Sequence, residues 1–156
     1  MRIAAVIVSY NSADHVGACV DSCLHFQSAF PCGITVIDNA STDVTRELVR
    51  ARFTLKGVAK STNLGFAAAV NQGFVHASDA EAVLVLNPDV VLQQDLTALE
   101  EELAKPRVAA AAGVLVDPSG KPQTGFLVRR FPTPAALIFE NLGLNRIWPG
   151  NPVNRR

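Results

Sequence analysis

Ile3-Ala-Ala-Val-Ile-Val8 is an unbroken apolar run that ends on Ser9-Tyr10-Asn11. A strand with one wet face shows alternating polarity, so both faces of this segment must be covered, as in a central strand of a parallel sheet. Three more runs repeat the plan: Gly33-Ile-Thr-Val-Ile-Asp38, a weaker strand near 55–59, and Ala82-Val-Leu-Val-Leu86. Between them, apolar residues recur at steps of three and four, which predicts helices. The first holds Val16, Val20, Cys23 and Leu24 and ends near Pro31; the second runs from Ser41 to Arg50. The third carries Phe66, Val70, Gly73, Phe74 and Ala77 on one stripe, and the fourth carries Leu96, Leu99 and Leu103 before Pro106. Asn11 or Ser12 is expected to cap the first helix and Ser41 the second, with Asp43 in its first turn, where a carboxylate complements the dipole. Alternating strands and helices of this kind predict an α/β, mostly parallel sheet flanked by helices.

From Val108 the chain turns Ala-rich and strand-like, then irregular, with proline at 118, 122, 132, 134, 149 and 152. The expected division is a core over 1–115 and a proline-rich C-terminal extension of the same domain over 116–156. At 156 residues, 49% hydrophobic and 18% charged, the chain is sized for one globular domain. Fourteen basic residues balance fourteen acidic ones, so no net field draws it to nucleic acid or to an acidic membrane. The apolar runs fall short of the roughly 20 residues of a membrane-spanning helix. Met1-Arg2-Ile3 leads straight into a strand, without the segments of a signal peptide. The expectation is a cytoplasmic protein without a transmembrane segment, with peripheral association at the inner face of the membrane as a further option. Cys19 and Cys23 lie four apart on one helix face and read as buried free thiols.

In an open parallel sheet, ligands bind beyond the carboxyl ends of the strands. The segments that follow the four runs are all polar: Ser9-Tyr10-Asn11, Asp38-Asn39-Ala-Ser-Thr-Asp43, Ser61-Thr-Asn63-Leu-Gly65 and Asn87-Pro88-Asp89. Singly, each is explained by turn and cap chemistry. Together they converge on one edge. Asp38 can accept hydrogen bonds from a base or ribose, or close an Asx-turn into the next helix. Asp89, on a proline-fixed turn, presents a hard oxygen ligand suited to Mg²⁺ or Mn²⁺; the alternative is a type I turn with a solvated carboxylate. There is no Gly-rich dinucleotide fingerprint, no P-loop and no nucleophile elbow.

Val6-Ile-Val-Ser-Tyr-Asn11, Val36-Ile-Asp-Asn-Ala-Ser-Thr-Asp43, Asn63-Leu-Gly-Phe-Ala-Ala-Ala-Val-Asn-Gln-Gly73 and Leu86-Asn-Pro-Asp-Val90, in that order, resemble family 2 glycosyltransferases, especially a rhamnosyltransferase-like branch. Weaker similarity continues through Asp117-Pro-Ser-Gly120 and Phe131-Pro132. The resemblance implies a GT-A fold, a nucleotide-diphosphate sugar donor, a divalent cation and inverting transfer to a glycan or lipid-linked acceptor. Ser9, Tyr10 and Asn11 are then expected to line the nucleotide pocket and Asp38, with Asn39 beside it, to contact base or ribose. Asn63 and Gly65 flank the nucleotide sugar. Asp89 matches the last acid of the family's Asp-x-Asp metal motif and is the expected metal residue, while Asn87, at the motif's first position, is expected among the nucleotide-sugar-binding residues.

The family's catalytic base, a carboxylate in a later Glu-Asp pair, has no counterpart here: after Asp117 the only acid is Glu140. The expectation is therefore a domain that stops before the acceptor-side elements and leaves apolar surface for a second copy to cover, as in a homodimer. Two other readings stand beside it, a noncatalytic nucleotide-sugar-binding module and a sugar-phosphate nucleotidyltransferase. The latter calls for a Gly-rich basic loop after the first strand, where Ser9-Tyr10-Asn11 stands.

Overall fold

In a computed structural model of the chain, which describes residues 1–51, 56–123 and 133–148, all seven residues of Ile3–Ser9 (β1) are buried. Ile34–Asp38 (β2) is likewise buried throughout. With each buried Val or Ile side chain contributing about 1.5–3 kcal/mol, these two strands anchor the structure. Lys56–Ala59 (β3) pairs with β2, and Ala82–Leu86 (β4) pairs with β1. Among the described residues the sheet is four-stranded and parallel, in the order β3-β2-β1-β4. The register sets Ser9 beside Asp38, Asp38 beside Ala59 and Ile7 beside Leu86, so all four strands end at one edge.

The helices are Val16–His25 (α1), Thr45–Arg50 (α2), Phe66–His76 (α3) and Thr97–Leu103 (α4). On one face, Val16, Cys19, Val20 and Cys23 of α1 and Val49 of α2 join Ile3, Ala5, Ile7, Ile34 and Val36 in a core that Leu86 and Leu96 complete. On the other, Ala69 of α3 packs with Val6, Val8 and Ile37. The approach of α3 is close because Gly73 has no side chain: a Cβ there would overlap Val6 Cγ1 and stand 2.9 Å from Cγ2. A glycine inside a helix costs about 1 kcal/mol against alanine, and the tight contact with β1 explains its presence. Cys19 and Cys23 are free and buried, as their spacing predicts.

Several local expectations are corrected. The side chains of Asn11, Ser12 and Ser41 cap neither α1 nor α2, and Asp43 lies before α2 rather than in its first turn, which holds Glu47. Ser12 starts α1 through its carbonyl, which accepts the His15 and Val16 amides at 3.0 and 2.9 Å. Its hydroxyl turns back to donate to the Tyr10 carbonyl. Ser41 and Asn11 bond to each other's loops instead. The buried stripe of α3 is Ala69 and Gly73, continued by Ala77 just past the helix; Phe66 and Phe74 are exposed. Of the expected stripe, Gly73 and Ala77 are buried and Val70 packs against the Val6–Val8–Ile37 core, while the two phenylalanines are left uncovered. Val85 of β4 is also exposed, as an edge strand permits. The Ala-rich stretch over 108–115 forms no strand among the described residues, and Leu55, Phe131 and Pro132 lie outside them.

The chain divides into compact units, Met1–Ala109 and Ala110–Arg156. In the second, Val116 and Pro122 form an isolated antiparallel bridge around a turn that Asp117 organises, its Oδ1 accepting the Ser119 hydroxyl at 2.6 Å and the Ser119 and Lys121 amides at 2.9 and 3.0 Å. Two short helices follow, Pro134–Asn141 (α5) and Leu144–Ile147 (α6).

Candidate functional site

The carboxyl edge of the sheet gathers the residues that the sequence singles out, and its centre is Asp38. The carboxylate is 4% exposed and lies at the last position of β2. Oδ2 accepts three N–H groups: Arg46 Nε at 3.1 Å, Arg46 Nη2 at 3.0 Å and the Ser41 amide at 3.3 Å. Arg46 Nη2 also donates to the Lys60 carbonyl at 3.2 Å, so one guanidinium joins the ends of β2 and β3. Among the described residues, Oδ1 is buried and accepts no hydrogen bond, and the buried hydroxyl of its cross-strand neighbour Ser9 has no partner either. Buried polar atoms without partners cost about 1–3 kcal/mol each and are scarce in folded proteins. Two of them side by side at a strand end suit a ligand that supplies the missing partners.

Around this pair the loops are tied to one another rather than to solvent. Asn11 has φ 45° and Ala40 φ 68°, in the left-handed region that costs an ordinary residue roughly 1–2 kcal/mol. Reciprocal bonds hold them there. The Asn11 amide donates to Ser41 Oγ at 3.0 Å, and the Thr42 amide donates to Asn11 Oδ1 at 2.9 Å. Beneath, the Ser12 amide donates to the buried Thr45 Oγ1 at 2.8 Å. Asp43 accepts the Thr45 amide at 3.0 Å and the Ala13 amide at 3.2 Å. Thr45 above all, with the Ala13 amide, holds the Asp43 carboxyl below the usual carboxylate range.

On the β3 side, Asn39 Nδ2 donates to Asn63 Oδ1 at 2.7 Å, and that oxygen also takes the Gly65 amide at 2.9 Å. Asn39 Oδ1 accepts the Leu64 amide at 3.3 Å. Gly65 has φ 84° and ψ 167° at the start of α3, a conformation essentially confined to glycine. The site calls on it for backbone geometry. Tyr10 is half exposed, its side chain free to cover something at the edge.

The β4 side differs. Asn87 and Asp89 are exposed, and among the described residues no three His, Cys, Asp or Glu side chains gather as a metal cage. One carboxylate and one amide oxygen on a turn still fit Mg²⁺ or Mn²⁺, which take one or two protein ligands and complete their shell with water and phosphate oxygens. A shallow concavity bordered by Met1, Glu81, Glu100, Glu101 and Ala104 lies by the start of β1, away from this edge.

Sequence reading missed Arg46. Its signal was present, a cation at the start of the helix that follows Asp38, but helix surfaces carry arginine for many reasons. Among the described residues no helix is long and apolar enough to cross a membrane.

The profile of glycosyl transferase family 2 matches residues 4–155. No curated protein matches the chain. Among solved structures, the mannosyltransferase PcManGT from Pyrobaculum calidifontis, in complex with GDP-Man and Mn²⁺, is 26% identical with a TM-score of 0.59, over 69% of this chain and 33% of its own. S. aureus TarS 1-349 in complex with UDP is 24% identical with a TM-score of 0.52, over 66% of this chain and 32% of its own, a likeness of fold alone. The chain spans about a third of the length of these solved structures.

Proposed function

This chain belongs to glycosyl transferase family 2, and we propose on that footing that its strand-end edge binds the nucleotide part of a nucleotide-diphosphate sugar for inverting transfer of a hexose. The observation that carries the reading is the buried, unpartnered Asp38 Oδ1 beside the unpartnered Ser9 hydroxyl. A carboxylate can only accept, so it selects a ligand edge that bears N–H or O–H groups, as guanine, uracil, thymine and ribose do. Arg46 holds the carboxylate in its orientation, and the Asn39–Asn63–Gly65 bonds shape the loop that flanks the donor. Asp89, with Asn87 two residues before it, would hold a divalent cation beside the donor's phosphates. Bound there, the cation supplies positive charge to the diphosphate that leaves.

An acceptor hydroxyl attacks the anomeric carbon, the bond from that carbon to the nucleoside diphosphate breaks, and a general base takes the hydroxyl proton. The strand-end loops supply the donor half of that reaction. That base is not among the residues assigned to this edge. The Asn-Pro-Asp form of the metal motif points to the rhamnosyltransferase-like branch and hence to a thymidine diphosphate donor.

Calorimetric titration with UDP, GDP and dTDP in the presence of Mn²⁺ tests the reading. Binding that weakens at least tenfold in Asp89→Ala and follows Mn²⁺ in the wild type is the expected result. No binding of any of the three at millimolar concentration overturns it. Release of nucleoside diphosphate from the sugar nucleotide then separates an enzyme from a binding module.

A further inference from the structure

The loop that carries Asn87 and Asp89 is held at both ends by one face of α1. At its start, the Cys19 thiol donates to the Asn87 carbonyl at 3.6 Å. At its end, the Leu92 amide donates to Ser22 Oγ at 3.0 Å. The two contacts are linked, because the Ser22 hydroxyl donates to the Cys19 carbonyl at 2.7 Å, one helical turn back. Between the ends, Val90 and Leu92 pack against the core that contains Cys19, Val20 and Leu86. The apolar contacts fix the depth of the loop. The orientation of Asn87 and Asp89 depends also on directional bonds, the turn's own from the Val90 amide to the Asn87 carbonyl at 3.3 Å and the two from α1.

A core position filled only for volume has no need of a donor, and an exposed turn has no need of two side-chain anchors from a neighbouring helix. Helix α1 is also the helix that leads out of the Ser9–Asn11 loop, so the same rigid element that starts at the nucleotide side grips the cation side. We infer that Cys19 and Ser22 are positioning residues that set the orientation of the Asn87–Asp89 turn for its cation, an inference that rests on Asp89 as a cation ligand. The coupling is geometric: with both anchors present, the turn meets a phosphate-bound cation in its bound orientation and little ordering remains to be done on binding. Without them the turn samples other rotations.

The test uses the whole 156-residue chain and measures the Mn²⁺ concentration that half-saturates binding of UDP or GDP, alongside the affinity for the same nucleotide in EDTA. Cys19→Ala and Ser22→Ala are each expected to raise the Mn²⁺ midpoint about five- to tenfold, the size of one lost modest hydrogen bond, and to leave the EDTA affinity within about twofold. Cys19→Ser, which keeps a donor, restores part of the loss. Val20→Ala, a core truncation on the same helix, lowers the melting temperature without moving the midpoint. All are read below the melting temperature of the weakest variant, and partly exposed Ser22 carries the test if Cys19→Ala does not fold. If Asp89→Ala raises the midpoint but Cys19→Ala and Ser22→Ala do not, the inference is overturned and the cation site stands. If Asp89→Ala leaves the midpoint unchanged, the cation site itself fails and the inference with it.

Discussion

Two halves of one sheet edge are built by opposite rules. On the β1–β2–β3 side, Asp38, Asn39, Ser9 and Thr45 are buried polar residues, and the three strand-end loops bond to one another before any ligand arrives. On the β4 side, Asn87 and Asp89 stand in solvent, and only the backbone of their loop is tied down. The difference matches the ligands proposed for each half. A planar base needs donors and acceptors already in place, so ordering them in the folded protein spares that cost on binding. A Mg²⁺ or Mn²⁺ ion brings its own water and phosphate ligands, and a second acid at Asn87 would set two like charges on one turn whenever the ion was absent.

The largest expected effect comes from breaking the preformed half. Asp38→Ala removes three accepted hydrogen bonds and strands Arg46. Arg46 is 31% exposed and can turn toward water, so the loss should fall well below the 3–5 kcal/mol of a fully buried pair, at about 2–3 kcal/mol. Urea unfolding measures it, and calorimetry should find nucleotide binding gone. Asp38→Asn keeps the shape and loses the charge, so it should fold closer to wild type while still binding at least tenfold more weakly. A variant without Asp38 that binds nucleotide normally removes the basis of the contrast.

Asp89→Ala sharpens the same comparison from the other side. An exposed carboxylate without a partner among the described contacts should change stability by no more than about 0.5 kcal/mol. The Mn²⁺ response should nevertheless disappear. If instead Asp89→Ala unfolds the protein as readily as Asp38→Ala, the β4 turn is structural and the two halves are not different in kind.

The sequence carried the first half of the chain well because its signals were physical necessities. An apolar run such as 3–8 has to be covered on both faces, and polar residues after parallel strands have to meet at one edge. The position of Asp38 at that edge was therefore legible, and so was the burial of Cys19 and Cys23. What was not legible is which partner each polar side chain takes. Asn11, Ser12 and Ser41 all have good capping chemistry, yet Asn11 and Ser41 bond across the β1 and β2 loops, whose pairing depends on strand order, and the Ser12 hydroxyl turns back to Tyr10. Arg46 was hidden for the same reason: its two partners, Asp38 and the Lys60 carbonyl, lie on different strands. The exposure of Phe66 and Phe74 was not legible either: Gly73 brings α3 close to Val6, and periodicity alone does not show which residues of a stripe the sheet reaches.

The smallest expected effect tests whether the preformed half is held by charge as well as by shape. Asp43 joins the 10–13 loop to the start of α2, and its carboxyl is held below the usual range by Thr45 first and the Ala13 amide after it. A carboxyl whose folded pKa lies below its unfolded value, near 3.9, stabilises the fold at higher pH and loses that contribution as pH falls through the depressed folded value. The wild type should therefore lose stability as pH drops below the ordinary carboxylate range, and Asp43→Asn should begin lower and fall less steeply. Asp117 is depressed in the same direction, chiefly by the Ser119 hydroxyl, but it braces the turn of the second unit, so Asp117→Asn serves as the comparison. Urea midpoints between about pH 6 and pH 3, followed alongside nucleotide affinity, separate the two. Asp43→Asn should flatten the acid limb and weaken nucleotide binding slightly. Asp117→Asn should flatten the limb alone, because its hydrogen bonds organise no strand-end loop. Equal effects of the two on nucleotide affinity would mean that the Asp43 bridge does not support the site.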